Sequence, residues 1–237
     1  MTDACVIVPA YEAARSLPAV LADLRAHLPD VPVLVIDDGS TDGTADVARA
    51  HGAEVLPSAG PNGEGANNGK GAALKTGLRA AAKRGLAVAV TVDADGQHPA
   101  SEAAKVLGSS ASRDALVLGV RDLAGAGAPK ANQFSNGFSN WFLSRFTGQD
   151  LNDTQCGLRR YPVAATLALP LAASGYDLEA EVIMKAIHAR IPVVEEPVRV
   201  LYPADRVTHF RVSRDPWRIL GTILRTYGGV VADRVRR

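Results

Sequence analysis

Short, wholly apolar runs alternate with helical stretches along the first 120 residues, and few folds accommodate that pattern. The runs are Ala4-Cys5-Val6-Ile7-Val8-Pro9, Val33-Leu34-Val35-Ile36, Val55-Leu56, Leu86-Ala87-Val88-Ala89-Val90 and Ala115-Leu116-Val117-Leu118-Gly119. They lack the polar–apolar alternation of a half-exposed strand, so they read as strands buried on both faces. Between them, Leu17, Val20, Leu21, Leu24 and Leu28 recur at helical spacing behind a Ser16 N-cap. A second helix starts near Ala45 and closes at Gly52; a third, rich in alanine, runs from Ala72 to Lys83 and is capped by Gly85. Strand–helix alternation of this kind predicts an α/β fold around a mostly parallel, doubly wound sheet. Such sheets bind ligands beyond the carboxyl ends of their strands.

Chemistry-bearing residues collect at those ends. Thr91-Val92-Asp93-Ala94-Asp95-Gly96-Gln97-His98 follows the fourth run. In extended backbone Asp93 and Asp95 point to one side, and a carboxylate pair with no Lys or Arg beside it calls for a cation. Mg²⁺ or Mn²⁺ suits oxygen ligands shared with substrate phosphates. The alternative is a solvated turn. Asp37-Asp38-Gly39-Ser40-Thr41-Asp42-Gly43-Thr44 leaves the second run as a turn dense in side-chain acceptors. Residues 58–71 form a glycine-rich loop leading into the alanine-rich helix. The loop is not a P-loop. Its backbone N–H groups suit a phosphate, or it is a plain surface loop.

The chain of 237 residues is 47% hydrophobic and 22% charged, enough apolar content for one substantial core. No apolar run reaches the roughly 18 residues needed to cross a bilayer. The start, Met1-Thr2-Asp3-Ala4, lacks a signal-peptide pattern, and two distant cysteines imply no disulfide framework, so the expected location is cytoplasmic. Net charge is +1, yet residues 199–237 hold nine Arg against three Asp. An acidic body with a basic tail disfavours a nucleic-acid partner. It suits a phosphate or the anionic face of a membrane, with a solvated helix face as the plain alternative.

Four motifs in order, Val-Pro-Ala-Tyr-Glu at 8–12, the Asp-Asp-Gly-Ser-Thr-Asp-Gly-Thr turn at 37–44, Asn-Gly-Lys-Gly at 68–71 and Asp-Ala-Asp-Gly-Gln-His at 93–98, resemble family-two glycosyltransferases of the GT-A fold. The resemblance implies roles. Pro9, Ala10, Tyr11 and Glu12 would line the nucleotide pocket. Asp37 and Asp38 would meet the base or ribose, and Lys70 the base region or diphosphate. Asp93 and Ala94 would sit by the ribose. Asp95 would hold the metal, joined by Asp93 and Gln97, as in dolichyl-phosphate mannose synthases. The bland readings are a packed aromatic for Tyr11 and a turn cap for Asp37.

Further along, Gly119-Val120-Arg121 is similar to a polyprenyl-phosphate transferase pattern in which the arginine faces the acceptor phosphate. Lys130 and Arg145 lie near enough in sequence to serve phosphates. Phe134, Phe138, Phe142 and Phe146 recur every four residues with Trp141 beside them. Such a stripe is usually core; the alternative is a surface for a lipid tail. Asp153-Thr154-Gln155-Cys156-Gly157 and Tyr176-Asp177-Leu178-Glu179 are similar to blocks of polyprenyl-phosphate glucosyltransferases. Cys156 has no histidine partner by pattern and reads as packing. Residues 191–201 suit an edge strand. Arg206 and His209 fall in a stretch resembling one that steadies the leaving diphosphate. From Asp215 an amphipathic helix carries Ile219, Leu220, Ile223, Leu224 and Tyr227, either on a membrane or against the domain.

The sequence therefore predicts a GT-A domain over residues 1–210 and a basic helical tail over 211–237. The expected reaction is metal-dependent, inverting transfer from a UDP- or GDP-sugar to a polyprenyl phosphate. Arg121 and Lys130 would orient that acceptor, and Arg206 would help Asp95 neutralise the leaving group. A hydroxyl acceptor would need a base, for which Asp153 is the candidate. A sugar-1-phosphate nucleotidyltransferase and a non-catalytic binder are the competing readings.

Overall fold

The computed structural model describes residues 3–201 and 215–235. The chain begins β1 (Ala4–Ala10), α1 (Leu17–His27), β2 (Val33–Asp37), α2 (Thr44–Ala50) and β3 (Glu54–Pro57). A two-stranded ribbon, β4 (Ala59–Gly60) and β5 (Gly63–Glu64), occupies the glycine-rich loop before α3 (Lys70–Lys83). Then come β6 (Val88–Thr91), α4 (Ala100–Leu107), β7 (Leu116–Arg121), α5 (Lys130–Thr147) and β8 (Arg159–Pro162). The last elements are α6 (Val163–Leu167), α7 (Leu178–His188), β9 (Val193–Val198) and α8 (Asp215–Val235).

Seven strands form one sheet in the order β3-β2-β1-β6-β8-β7-β9. Every neighbouring pair is parallel except those of β8, which runs antiparallel to β6 and β7. The mostly parallel sheet is thus as expected, with β9 at its edge. Strand residues alternate between two layers, as the pleat requires. Cys5 and Ile7 of β1 join a core with Leu74 and Leu78 of α3 and Ile183 of α7. Val6 and Val8 face Leu21 and Leu24 of α1 and Val106 of α4. Helix α3 lies close on β1: a Cβ on Gly77 would stand 2.6 Å from Ile7 Cγ2, so only glycine admits that approach.

Local details depart from expectation. Ser16 precedes α1, but its side chain makes no cap bond to the helix; the hydroxyl donates to the Ala13 carbonyl at 3.4 Å. Helix α3 starts two residues early and so takes Lys70 into its first turn. The largest correction concerns α5. Leu143 is buried and Phe142 and Phe146 lean on the core, but Phe134 and Trp141 are 77% and 63% exposed and Phe138 also faces solvent. The stripe is therefore a surface ladder that only dips into the core. Its rings follow one another at 6.4, 4.6 and 5.9 Å, and Tyr227 of α8 continues the ladder 4.5 Å from Phe146. Helix α8 lies against α5 and α7 through buried Ile219 and Ile223, which belong to the same core as α3. Its opposite side exposes Leu224. Among the described residues no helix is long and apolar enough to cross a membrane.

Candidate active site

Strands β1, β2 and β6 are parallel neighbours, so their carboxyl ends present three of the predicted motifs along one edge. After β1 the sheet grows first toward β2 and β3 and then, from β6 on, in the other direction. The β1–β6 boundary is therefore the switch point where such sheets form a crevice. Ala10 pairs with Asp37, and the Asp38 N–H donates to the Ala10 carbonyl at 2.8 Å, which locks Pro9–Glu12 beside the acidic turn. Glu12 stands at φ +50° and accepts from the Thr41 N–H at 2.7 Å, bracing that turn. Asp37 accepts from the Ser40 N–H at 3.1 Å. Asp38, expected on the nucleotide, is buried, and its two oxygens accept from the N–H groups of Asn68 and Gly69 at 2.9 and 2.7 Å. It holds the loop that leads to Lys70.

Asp93 and Asp95 are not set by the strand pleat. Strand β6 ends at Thr91, and Asp95 lies in a turn at Gly96, φ +72°, with its carboxylate accepting from the Gln97 N–H at 3.1 Å. Nor is Asp93 without a basic neighbour. Lys70 Nζ lies 2.7 Å from its carboxylate and 3.1 Å from Glu179 of α7; the second contact is an ion pair without hydrogen-bond geometry. The Tyr176 ring stands 5.7 Å from the same ammonium. Burial works against a charge on Lys70, but Asp93 and Glu179 outweigh it and hold its pKa above the ordinary lysine value. For Asp93, burial is likewise overcome by Lys70, and the carboxyl titrates below the usual range. Both groups stay charged at neutral pH. The sequence placed Glu179 in a family-like block at an acidic helix start, but gave no sign that it pairs with Lys70.

The block 153–157 closes the other side. Gly157 is required there, because a Cβ would stand 2.8 Å from Asp93 Cγ. Arg159, fully buried, donates to the carbonyls of Cys156, Thr154 and Glu179 at 2.8, 2.8 and 2.9 Å, tying the block to α7. Asp153 is also fully buried. Arg121 grips it with Nε at 2.6 Å, Nη2 at 3.0 Å and its backbone N–H at 3.1 Å, and the Gln155 N–H adds a fourth contact at 3.3 Å. Four donors fill the acceptor sites of a carboxylate. The expectation of Asp153 as a base for a hydroxyl acceptor does not fit this geometry; the residue orients Arg121 instead.

Cys156 does have a histidine neighbour: His98 Nε2 lies 3.7 Å from Sγ. Burial pushes the thiol up to about 12 and the imidazole down to about 4. Neither group carries charge at neutral pH, which fits packing and not a nucleophile. Lys130 is exposed at the start of α5. Arg206 and His209 lie outside the described residues. The chain approaches them through Leu201, whose N–H donates to the Gln97 carbonyl at 2.8 Å.

Residues 5–165 match the family model described as glycosyl transferase family 2. The chain belongs to that family. This family 2 glycosyltransferase is 31% identical over 198 residues to the undecaprenyl-phosphate mannosyltransferase of Micrococcus luteus, covering 81% of each chain. It is 28% identical over 208 residues to the polyprenol monophosphomannose synthase of Mycolicibacterium smegmatis, covering 81% of this chain and 75% of the relative. Its fold is similar to that of glucosyl-3-phosphoglycerate synthase from Mycobacterium tuberculosis, solved with Mn²⁺, UDP and phosphoglyceric acid. That likeness has a TM-score of 0.74 at 19% identity, over 95% of this chain and 78% of the other, and it bears on the fold alone. The GT-A expectation is borne out. The family assignment removes the nucleotidyltransferase and the non-catalytic binder.

Proposed function

We propose that this family 2 glycosyltransferase moves a sugar from a nucleotide sugar to a polyprenyl phosphate at a membrane surface. The observation that carries the choice of acceptor is the saturated Arg121–Asp153 pair. A phosphate is ionised at neutral pH and needs no base, only a fixed cation. Asp153 preorients Arg121 for that work, where a hydroxyl acceptor would need the carboxylate itself. A groove between α5 and α8 supports the same reading. Its walls are Phe138, Phe142, Ile219, Leu220 and Ile223, and its polar end is Gln155, two residues from Asp153. Those apolar walls match the chemistry of an isoprene tail, and the space between them is only water-sized, so α5 and α8 would have to part to admit one.

The donor site is the strand-end crevice. Among the described residues no group of three or more His, Cys, Asp or Glu side chains is placed to hold a metal. That suits Mg²⁺ or Mn²⁺, which accept one or two protein carboxylates and complete their shell with diphosphate oxygens and water. Asp95 would be the carboxylate. Gln97 would be a second donor: its buried amide Nε2 has no hydrogen-bond partner, and turning the amide over would put the carbonyl oxygen, which suits a hard ion, at that place. The ion supplies Lewis-acid stabilisation of the departing diphosphate. Lys70 keeps Asp93 ionised and fixed beside the ribose. Arg121 holds the acceptor in line, and Arg206 is the further cation assigned to the leaving group.

Purified protein with Mn²⁺ and radiolabelled UDP- and GDP-hexoses is the direct test. Label should enter the organic phase with undecaprenyl phosphate and not with a hydroxyl acceptor such as a glycolipid. Transfer to the hydroxyl acceptor alone overturns the reading.

The membrane side rests on α5 and the described side chains of α8. Among the described residues, five of the six exposed large apolar side chains, Phe134, Phe138, Trp141, Leu224 and Tyr227, lie there. Helix α5 has Lys130 and Arg145 but no acidic residue, and α8 exposes Arg225. Exposed aromatics among cations suit an anionic interface. Replacing Phe134 and Trp141 together by Ser should weaken sedimentation with phosphatidylglycerol-rich vesicles by roughly tenfold or more. Thermal stability should hold, because both rings already face solvent. Unchanged vesicle binding would remove this face from the membrane contact.

A further inference from the structure

Asp177 carries a role that no family motif assigns. It stands at the N-terminus of α7, two residues before Glu179, and is almost fully buried. One oxygen accepts from the Gly175 N–H at 3.1 Å and forms an ion pair with Arg218 Nε of α8 at 3.1 Å. The other accepts from the Thr222 hydroxyl of α8 at 2.9 Å. Arg218 also donates to the Ser174 hydroxyl at 3.3 Å. Gly175 makes room for this cluster, since a Cβ there would stand 3.0 Å from Arg218 Cζ.

The same loop is fastened on its other side to the donor site. The Ser174 carbonyl accepts from the Ala72 N–H at 2.9 Å, and the Ala173 carbonyl from Lys75 Nζ at 2.7 Å. Gly69 and Gly71 let α3 touch this backbone: Cβ atoms there would stand 2.7 Å from the Ser174 and Gly175 oxygens. Tyr176, next in the chain, stands by Lys70. Residues 173–176 are therefore clamped between α8 and the first two turns of α3.

We infer that Asp177 is a positioning residue: by gripping Arg218 and Thr222 it makes the seating of α8 set the position of Lys70 and Tyr176 in the donor site. The link is short and buried, with polar contacts at each joint, so it has little slack. It rests on the donor-site reading above and adds what α8 does for it. Helix α8 presents Tyr227 and Leu224 outward at one end of this link, and Lys70 stands at the other. A surface-bound α8 and a well-formed donor site thus favour one another.

The test uses the full chain and Mn²⁺ with UDP and with GDP, read by calorimetry, and amide exchange without nucleotide. Thr222→Val keeps the shape and removes the donor; Arg218→Met removes the ion pair. Each should weaken binding of the preferred nucleotide by about three- to tenfold, matching the loss of one or two hydrogen bonds to a charged group. Each should also speed exchange at the Ala72 amide. Thr222→Ser should restore both. Val106→Ala, a core truncation in α4 on the other layer, controls for general destabilisation and should change neither. Wild-type affinity and exchange in Thr222→Val and Arg218→Met would overturn the inference, as would equal losses in Val106→Ala. Failure of the wild type to bind either nucleotide would instead overturn the donor-site reading, and exchange at Ala72 would still decide whether the clamp exists.

Discussion

Asp95→Asn should lower kcat/KM by about 10³-fold with almost no loss of stability. The expected loss is about 4 kcal/mol of transition-state stabilisation, the scale on which one well-placed electrostatic group acts. Asparagine keeps an oxygen for the Gln97 N–H that the Asp95 carboxylate now caps at 3.1 Å, so the turn should persist. What disappears is the negative charge proposed to draw a divalent ion onto the diphosphate. Two measurements separate this from misfolding. The melting temperature should stay within a few degrees of wild type, and Mn²⁺ should no longer strengthen UDP or GDP binding. A variant that keeps full turnover, or keeps the Mn²⁺ effect, would remove Asp95 as the metal ligand and shift attention to Asp93.

Lys70→Met should be the costliest single change to the fold near the site. The ammonium is the shared counter-ion of Asp93 and Glu179. Removing one partner of a buried ion pair costs about 3–5 kcal/mol, because the other charge stays buried. Asp93 keeps 26% of its side chain exposed, which relieves part of this, so about 3 kcal/mol is expected. In a chain this long that lowers the melting temperature by roughly 6–12 °C. With its counter-ion gone, Asp93 loses the influence that holds its pKa down and burial pushes the carboxyl up. Losses should therefore shrink as pH falls and protonation relieves the unpaired charges. A pH-independent loss, or a melting temperature within two or three degrees of wild type, would show that the ion pair matters little.

Much of this was legible in the sequence because it is local. A buried parallel strand shows as an unbroken apolar run, and Val6–Val8, Val33–Ile36 and Val88–Val90 lie in β1, β2 and β6. The turn at Asp37–Thr44 and the carboxylates at Asp93 and Asp95 sit just beyond those runs, so topology alone places them on one edge. The aromatic period of α5 was equally plain, but periodicity reports only that residues share a face. Whether that face is covered depends on what packs there, and α8 runs beside it from Ser135 to Phe146 yet leaves Phe134, Phe138 and Trp141 exposed.

The pairings that hold the site and its surroundings in place had no local trace. Lys70 meets Asp93 and Glu179, Arg121 meets Asp153, His98 meets Cys156, and Asp177 meets Arg218, each across 23 or more residues of chain. Charge and hydrogen-bond complementarity acts through space, and a polar residue at a strand or helix end looks the same in sequence whether its partner is water or a buried side chain. The sequence by itself determined strands β1, β2, β3, β6 and β7 with helices α1 to α3, the family, and which motifs reach the crevice, because backbone periodicity and turn chemistry are short-range; the short antiparallel β8 and the β4–β5 ribbon left no such pattern. Only the tertiary structure decided that Asp38 and Asp153 brace the site from within, that Lys70 is the charge at its centre, and that the last helix is tied to it, because burial and long-range pairing assign those roles.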